Sequence, residues 1–200
     1  MHVATADGGQ ADRLQYLFDR QEILDCLTRC CRGADRSDRD LYLSTFHPDA
    51  VADVGPFVGA PDSLYDWAEK LRHASPSVHH HILNHGCEIV GDIAHAETYY
   101  IFVAPNDDGT NLTAGGRYID RFERRDGVWK IAMRQNLLEW SGLMPAAALP
   151  LVEAPDIHLN GRPSRSRNDP SYRRPLVNMR PISMPPGSAT ADAADEVEAS

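Results

Sequence analysis

Three residues far apart in this 200-residue chain, Asp35, His80 and Arg134, have the types and placement to do chemistry together. A carboxylate bonded to one imidazole nitrogen fixes the tautomer and leaves the other nitrogen as a base near neutral pH. An arginine, always charged, can steady an oxyanion or a departing group. No strong nucleophile, phosphate-binding loop or redox centre accompanies them, so the chemistry implied is proton abstraction followed by elimination.

The elements that must position the trio are legible in outline. Asp19-Arg-Gln-Glu22 reads as a capping box opening a helix that runs to about Ala34. Leu24, Leu27, Cys31 and Asp35 then fall on one stripe, with Asp35 at its end. Residues 37–40 can cap a short second helix to about Phe46, residues 49–53 suit a short strand, and Pro61-Asp-Ser opens a third helix with Leu64, Trp67, Ala68 and Leu71 on one face. After Ser75 the pattern turns to β. Residues 78–90, 94–104, 112–125 and 128–140 read as long strands, joined in part by Gly91-Asp92 and by the type I′ signature Asp126-Gly127. Strict alternation puts His80, Ile82 and Asn84 on one face, with His79, His81 and His85 on the other. It likewise puts Arg134, Asn136 and Leu138 together and sends Trp129, Ile131 and Met133 to the opposite face, which needs a neighbour if helices leave it bare.

Helices followed by an antiparallel meander predict an α+β fold, with the N-terminal helices packed on a strongly curved antiparallel sheet that forms a cone-shaped pocket. The cone domain spans 11–142. Residues 143–186 form an extended Pro/Arg-rich arm, since residues 141–186 hold nine of the fourteen prolines, and residues 187–200 form a disordered acidic tail. Residues 160–186 carry +5, the tail −4 and the body −10, so the arm is expected to dock on a body through that charge and through Tyr172, Leu176, Val177, Met179 and Ile182. Leu151 and Val152 add to its apolar content.

The net charge of −9 disfavours nucleic acid, and no apolar run approaches the ~20 residues of a membrane span. No signal peptide is visible. Cys26, Cys30, Cys31 and Cys87 match neither a disulfide framework nor a zinc pattern and read as reduced thiols of a cytoplasmic protein. The run His79-His80-His81 lacks a carboxylate at a diagnostic spacing, so no metal is expected; Asn106-Asp-Asp-Gly reads as a hairpin loop. Periodicity alone leaves structural alternatives open: a core histidine at 80, a helix cap at Asp35, a sheet-surface arginine at 134.

Resemblance narrows them. Gly33-Ala-Asp35-Arg-Ser-Asp, Phe46-His-Pro-Asp-Ala, Val78-His-His80-His-Ile-Leu-Asn84, the run from Gly115 to Ile131 and then Arg134 resemble the SnoaL-like branch of the nuclear transport factor 2-like superfamily over roughly residues 14–142. Within that branch the chain is similar to scytalone dehydratase, the bile-acid 7α-dehydratases and hexachlorocyclohexane dehydrochlorinase. The resemblance implies a cone without a cofactor, catalysis by His80 and Asp35, and a substrate site with Arg134 as cationic anchor and Tyr118 and Phe57 lining the pocket; Asn136 joins the substrate-binding set from the shared strand face. Many relatives carry a tyrosine five residues before the aspartate, where this chain has Cys30. Looser likenesses with arms act on bulky aromatic compounds, and resembling members assemble as trimers. The expectation is therefore a cofactor-independent lyase in a homotrimer. It acts on a bulky, largely apolar aromatic or polycyclic small molecule that loses water, halide or a one-carbon carbonyl fragment. An isomerase or cyclase using the same dyad, or a non-catalytic binding module, is the alternative.

Overall fold

The computed structural model describes residues 9–72, 75, 77–147 and 156–182. The expected acidic tail, the arm's last residues from 183, and Leu151 and Val152 lie outside them.

Helix α1 (Gln10–Asp35) is followed by α2 (Arg39–Leu43), β1 (Phe46–Asp53), β2 (Val58–Gly59), α3 (Pro61–Arg72), β3 (His79–Val90), β4 (Ile93–Pro105), β5 (Thr110–Arg125) and β6 (Val128–Pro145). The strands form one sheet in the order β2-β1-β6-β5-β4-β3. The four long strands pair antiparallel, as read from the sequence, but β1 lies parallel to β6, so the sheet is mixed. Phe46 opens β1 instead of ending α2. The short second helix is capped by Asp38, whose side chain accepts from the Leu41 N–H.

Asp19 is not a cap. The helix starts at Gln10, and Asp19 lies buried within it, accepting bonds from Trp129 Nε1 (2.9 Å), Arg124 Nη1 (3.0 Å) and Gln15 Nε2 (3.0 Å). The capping-box pattern was fortuitous; the carboxylate ties α1 to the sheet. Ile23, Cys26, Leu27, Cys30 and Ala34 form the buried stripe of α1 and meet Phe46, Phe122, Trp129 and Ile131. Trp129 and Ile131 therefore belong to the core under the helices and need no neighbouring subunit.

Three β-bulges curl the sheet and reverse the side-chain parity that strict alternation assumes. In β6, Phe122 pairs with Ile131 but Arg121 with Met133, so Ala132 is the extra residue. Trp129 and Ile131 face inward before it, and Arg134 after it. Glu139 is extra between Leu138 and Trp140. In β3 the register slips between Ile82 and His85, so His85 turns to Thr98, a fully buried residue of β4, at 2.9 Å. His85 is thus not on the face of His79 and His81, and Asn84 is exposed instead of standing inward with His80.

The arm lies across its own body. Arg165 bonds Glu69 of α3 (2.8 Å), Arg167 and the Tyr172 hydroxyl bond Asp38 (3.2 and 2.8 Å), and Arg32 bonds Ser171 (3.1 Å). Only the charged and aromatic part of the expected docking is used: Leu176, Val177, Met179 and Ile182 stay exposed, Ile182 at 99%. The four cysteines are free and buried. Among the described residues no helix is long and apolar enough to cross a membrane.

Candidate active site

Asp35 is the last residue of α1, and His80 the second of β3. Gly33 allows this placement: a Cβ there would stand 2.6 Å from the Tyr42 backbone nitrogen, so only glycine lets α2 fold back against the end of α1. Asp35 grips His80 twice. Oδ1 lies 2.6 Å from His80 Nδ1, and Oδ2 accepts the His80 backbone N–H at 3.1 Å. The imidazole and carboxylate side chains are 12% and 16% exposed, so bulk water competes weakly for the bond. With Asp35 ionised, Nδ1 carries the proton and donates, and Nε2 is the nitrogen left for a bound molecule.

His80 lines a cavity of about 230 Å³ that also meets Tyr118, Arg134 and Asn136. Three further aromatic walls, Tyr42, Tyr65 and Trp67, escaped sequence reasoning except that Trp67 marked the α3 face. Phe57 is not among the lining side chains: it stacks on the back of Trp67 with ring centroids 5.7 Å apart, one layer removed. On the outer side, His80 and Asp35 also border an open groove between α1 and β3.

Arg134 is placed in the cavity wall but is not a free anchor. Its Nε and Nη2 each donate to Asp120 at 2.8 Å, and Nη1 reaches Cys30 Sγ at 3.4 Å. Burial opposes the charge, yet the Asp120 carboxylate holds the guanidinium well above its ordinary range. Its Cζ lies 4.2 Å from the Tyr118 ring centroid, a cation–π contact. Asp120, the buried partner of Arg134, is the residue the sequence left unmarked. Counted from the hairpin turn, strict pairing sets it opposite Met133; the bulge at Ala132 moves it opposite Arg134.

Burial pushes the Tyr118 phenol well above its usual range, so it remains a hydrogen-bond donor. Tyr100 stacks on it at 4.4 Å, raised by burial and bonded by Asn136. The Asn136 Oδ1 is buried without a hydrogen-bond partner. Cys30, fully buried, has its thiol raised by desolvation and stays neutral; it gives Arg134 a soft acceptor. Among the described residues no group of three or more His, Cys, Asp or Glu side chains is arranged to hold a metal ion.

A curled, unclosed sheet with helices over its concave side and a carboxylate-bound histidine in the wall defines a cone-shaped α+β domain of the nuclear transport factor 2-like class. The chain belongs to the SnoaL-like domain family, whose model matches residues 15–135. Solved structures agree in fold. Hexachlorocyclohexane dehydrochlorinase LinA-type3 from Novosphingobium barchaimii is 21% identical with a TM-score of 0.62, over 69% of this chain and 99% of that one. A protein described as a putative scytalone dehydratase from Novosphingobium aromaticivorans is 16% identical with a TM-score of 0.56, over 70% and 97%. A Mycobacterium tuberculosis protein of unknown function is 20% identical with a TM-score of 0.58, over 76% and 83%. No curated protein sequence matches the chain.

Proposed function

We propose that this protein is a cofactor-independent lyase that eliminates a small leaving group from a largely apolar ring compound. One observation carries the reading: His80, held by Asp35 at 2.6 Å, stands in the wall of an aromatic-lined cavity, where a binding module needs no oriented base. His80 Nε2 takes a proton from a ring carbon or hydroxyl. The released electron pair forms the new double bond, and the group on the adjacent carbon leaves with its own pair. It leaves as halide or, once protonated, as water; in the one-carbon alternative His80 takes the hydroxyl proton of a ring-borne hydroxymethyl group, the O–H pair becomes the C=O of the departing aldehyde, and the C–C pair stays on the ring carbon, which takes the proton back from His80. Asp35 orients the imidazole and faces the positive charge it gains. The Tyr118 phenol, and the N–H groups of Arg134 not spent on Asp120, are placed to donate to the departing group.

The cavity also bears on substrate size. About 230 Å³ lies below the ~300–1,000 Å³ usual for small-molecule pockets. It suits a single substituted ring, which trims the aromatic or polycyclic class expected from the sequence to its smaller members. The dehydrochlorinase and dehydratase descriptions of two structural neighbours support elimination as the reaction class.

The test is turnover of single-ring halides and alcohols with an acidic C–H beside the leaving group, followed by mass. A lyase product loses the mass of the group, whereas an isomerase product keeps it. His80→Ala and Asp35→Asn each lower kcat at least ~100-fold, the scale of a lost general base or its orienter. Folded variants that keep the parent rate overturn the reading.

Exposed Leu138, Trp140, Leu143 and Met144 on the far part of β6 support self-association, in which we include the trimer. Light scattering at micromolar concentration checks it, and a 22.2 kDa species refutes it.

A further inference from the structure

The turn that carries Asp35 is held from outside by the arm. Around Asp35, its neighbours Ala34, Arg36, Ser37 and Asp38 are each tied to the arm directly or through one partner. Arg165 Nη2 bonds both the Ala34 carbonyl (3.5 Å) and Glu69 (2.8 Å), and Glu69 in turn accepts the Ser37 hydroxyl at 2.8 Å. Arg36 Nε faces Asp169 at 3.8 Å. Asp38 accepts the Tyr172 hydroxyl at 2.8 Å and Arg167 at 3.2 Å, besides capping α2. One turn earlier, Arg32 bonds Ser171 and lies 4.7 Å from the Tyr172 ring centroid.

This turn needs holding. Ser37 sits at φ 50°, a left-handed conformation that serine adopts at a cost. Asp35 itself is the last helical residue, where ladder bonds run out and helices fray. It is also flanked by Arg36, whose guanidinium would compete with His80 for the carboxylate if it swung back. Asp169 draws it the other way and is itself fixed by the N–H groups of Ser164 and Ser171.

We propose that residues 164–172 are a positioning element for the catalytic pair: the arm clamps the Ala34–Asp38 turn and so keeps the Asp35 carboxylate on His80 Nδ1. This rests on the His80–Asp35 reading above, and it assigns the Pro/Arg-rich arm a role in the reaction although none of its described residues lines the cavity. None of these arm residues is a catalytic residue; they act through Asp35.

The test uses the full chain with Tyr172→Phe, Arg165→Met and the two combined. The first readout needs no substrate: the proton resonance of the His80 Nδ1–H···Asp35 bond, assigned by its loss in Asp35→Asn, and its exchange with water. In the double variant that exchange rises at least ~10-fold while the cavity side chains keep their spectrum. With an active ring substrate, kcat falls about 10-fold and KM stays within twofold, since a small misplacement of a catalytic group taxes the chemical step more than binding. Arg165→Lys restores part of both. An unchanged Nδ1–H resonance in variants whose melting temperature has fallen shows a brace without catalytic bearing and overturns the proposal. If Asp35→Asn abolishes the resonance but leaves turnover intact, the catalytic reading fails while the clamp is still measured by exchange.

Discussion

Removing the Asp120 carboxylate separates two views of Arg134. Arg134 and Asp120 side chains are 6% and 0% exposed and share two bonds of 2.8 Å. In Asp120→Ala both bonds disappear, and the guanidinium keeps only Cys30 Sγ, a weak acceptor, and the faces of Tyr118 and Phe46. Two charge-assisted bonds at about 1.5–3 kcal/mol each, offset by what the aromatic rings recover, give a loss of about 3–5 kcal/mol, the range for a buried pair stripped of one partner. For a chain of this size that is a fall of about 6–20 °C in melting temperature. Replacing both residues, Asp120→Leu with Arg134→Met, removes the stranded charge as well as the pair. It should return stability to within about 2 kcal/mol of the parent while still impairing turnover. Thermal unfolding followed by circular dichroism, with urea titration as a second measure, reads both. A surface arginine on the sheet would make Asp120→Ala cost less than about 1 kcal/mol. A melting temperature within 2 °C of the parent would therefore refute the buried-pair reasoning and return Arg134 to the role of a solvated anchor.

The remaining predictions concern the two other places where α1 is tied down. Asp19→Ala leaves the Trp129 indole N–H buried without its acceptor and Arg124 without a partner on the helix, so stability falls by about 2–4 kcal/mol; urea unfolding monitored by tryptophan fluorescence checks it. Acid should release the arm. Burial works to raise Asp38 and Asp169, but hydrogen bonds outweigh it and hold both below the usual carboxylate range. At Asp38 these come from Tyr172, Leu41 N–H and Arg167; at Asp169, from the Ser171 hydroxyl and the N–H groups of Ser164 and Ser171. Depressed folded-state values mean that the stabilisation is present above the unfolded value, about 3.9, and is lost as pH falls through the lower folded one. Amide exchange of Ser171 and Tyr172 should therefore rise below about pH 4, ahead of the β5–β6 amides, and exchange that stays uniform to global acid unfolding would contradict it.

Much of this architecture is legible in the chain because the relevant residues lie upstream of the irregularities. Asp35 ends a helical stripe, and His80 stands before the slip in β3, so periodicity brings them to facing surfaces without error. Arg134 and Asp120 lie beyond the bulge at Ala132, and their pairing depends on one extra residue that no hydrophobic pattern marks. The same cause misplaces His85. Asp19 reads as a cap because a buried acid three residues before Glu22 has the same letters as an exposed one; only Trp129 and Arg124, more than a hundred residues away, show its use. Trp67 of α3 takes the pocket wall expected of Phe57, which lies just before β2 and stacks on the Trp67 ring. In the arm, charge was a partial guide and hydrophobicity was not: Arg165, Arg167 and Tyr172 find partners on α3 and on the Asp38 cap of α2, Arg173, Arg174 and Arg180 bond within the arm, and Leu176, Val177, Met179 and Ile182 stay exposed.

The direction of α1 adds a last electrostatic argument for the dyad. A carboxylate at a helix C-terminus sits where the aligned peptide dipoles already present partial negative charge, an arrangement helices avoid by roughly 0.3–1 kcal/mol. Here the placement is compensated on one side by Arg32 and Arg36, both drawn outward to Ser171 and Asp169 of the arm. On the other side stands His80, which meets both carboxylate oxygens, through its Nδ1 and its backbone N–H. In the proposed reaction, the positive charge that Nε2 gains forms at the negative end of a 26-residue helix and beside its terminal carboxylate. Carboxylate and helix end thus face the ring of the proposed base from a wall that is already built. A cone that merely stored a ligand would gain nothing from spending an unfavourable helix end in this way.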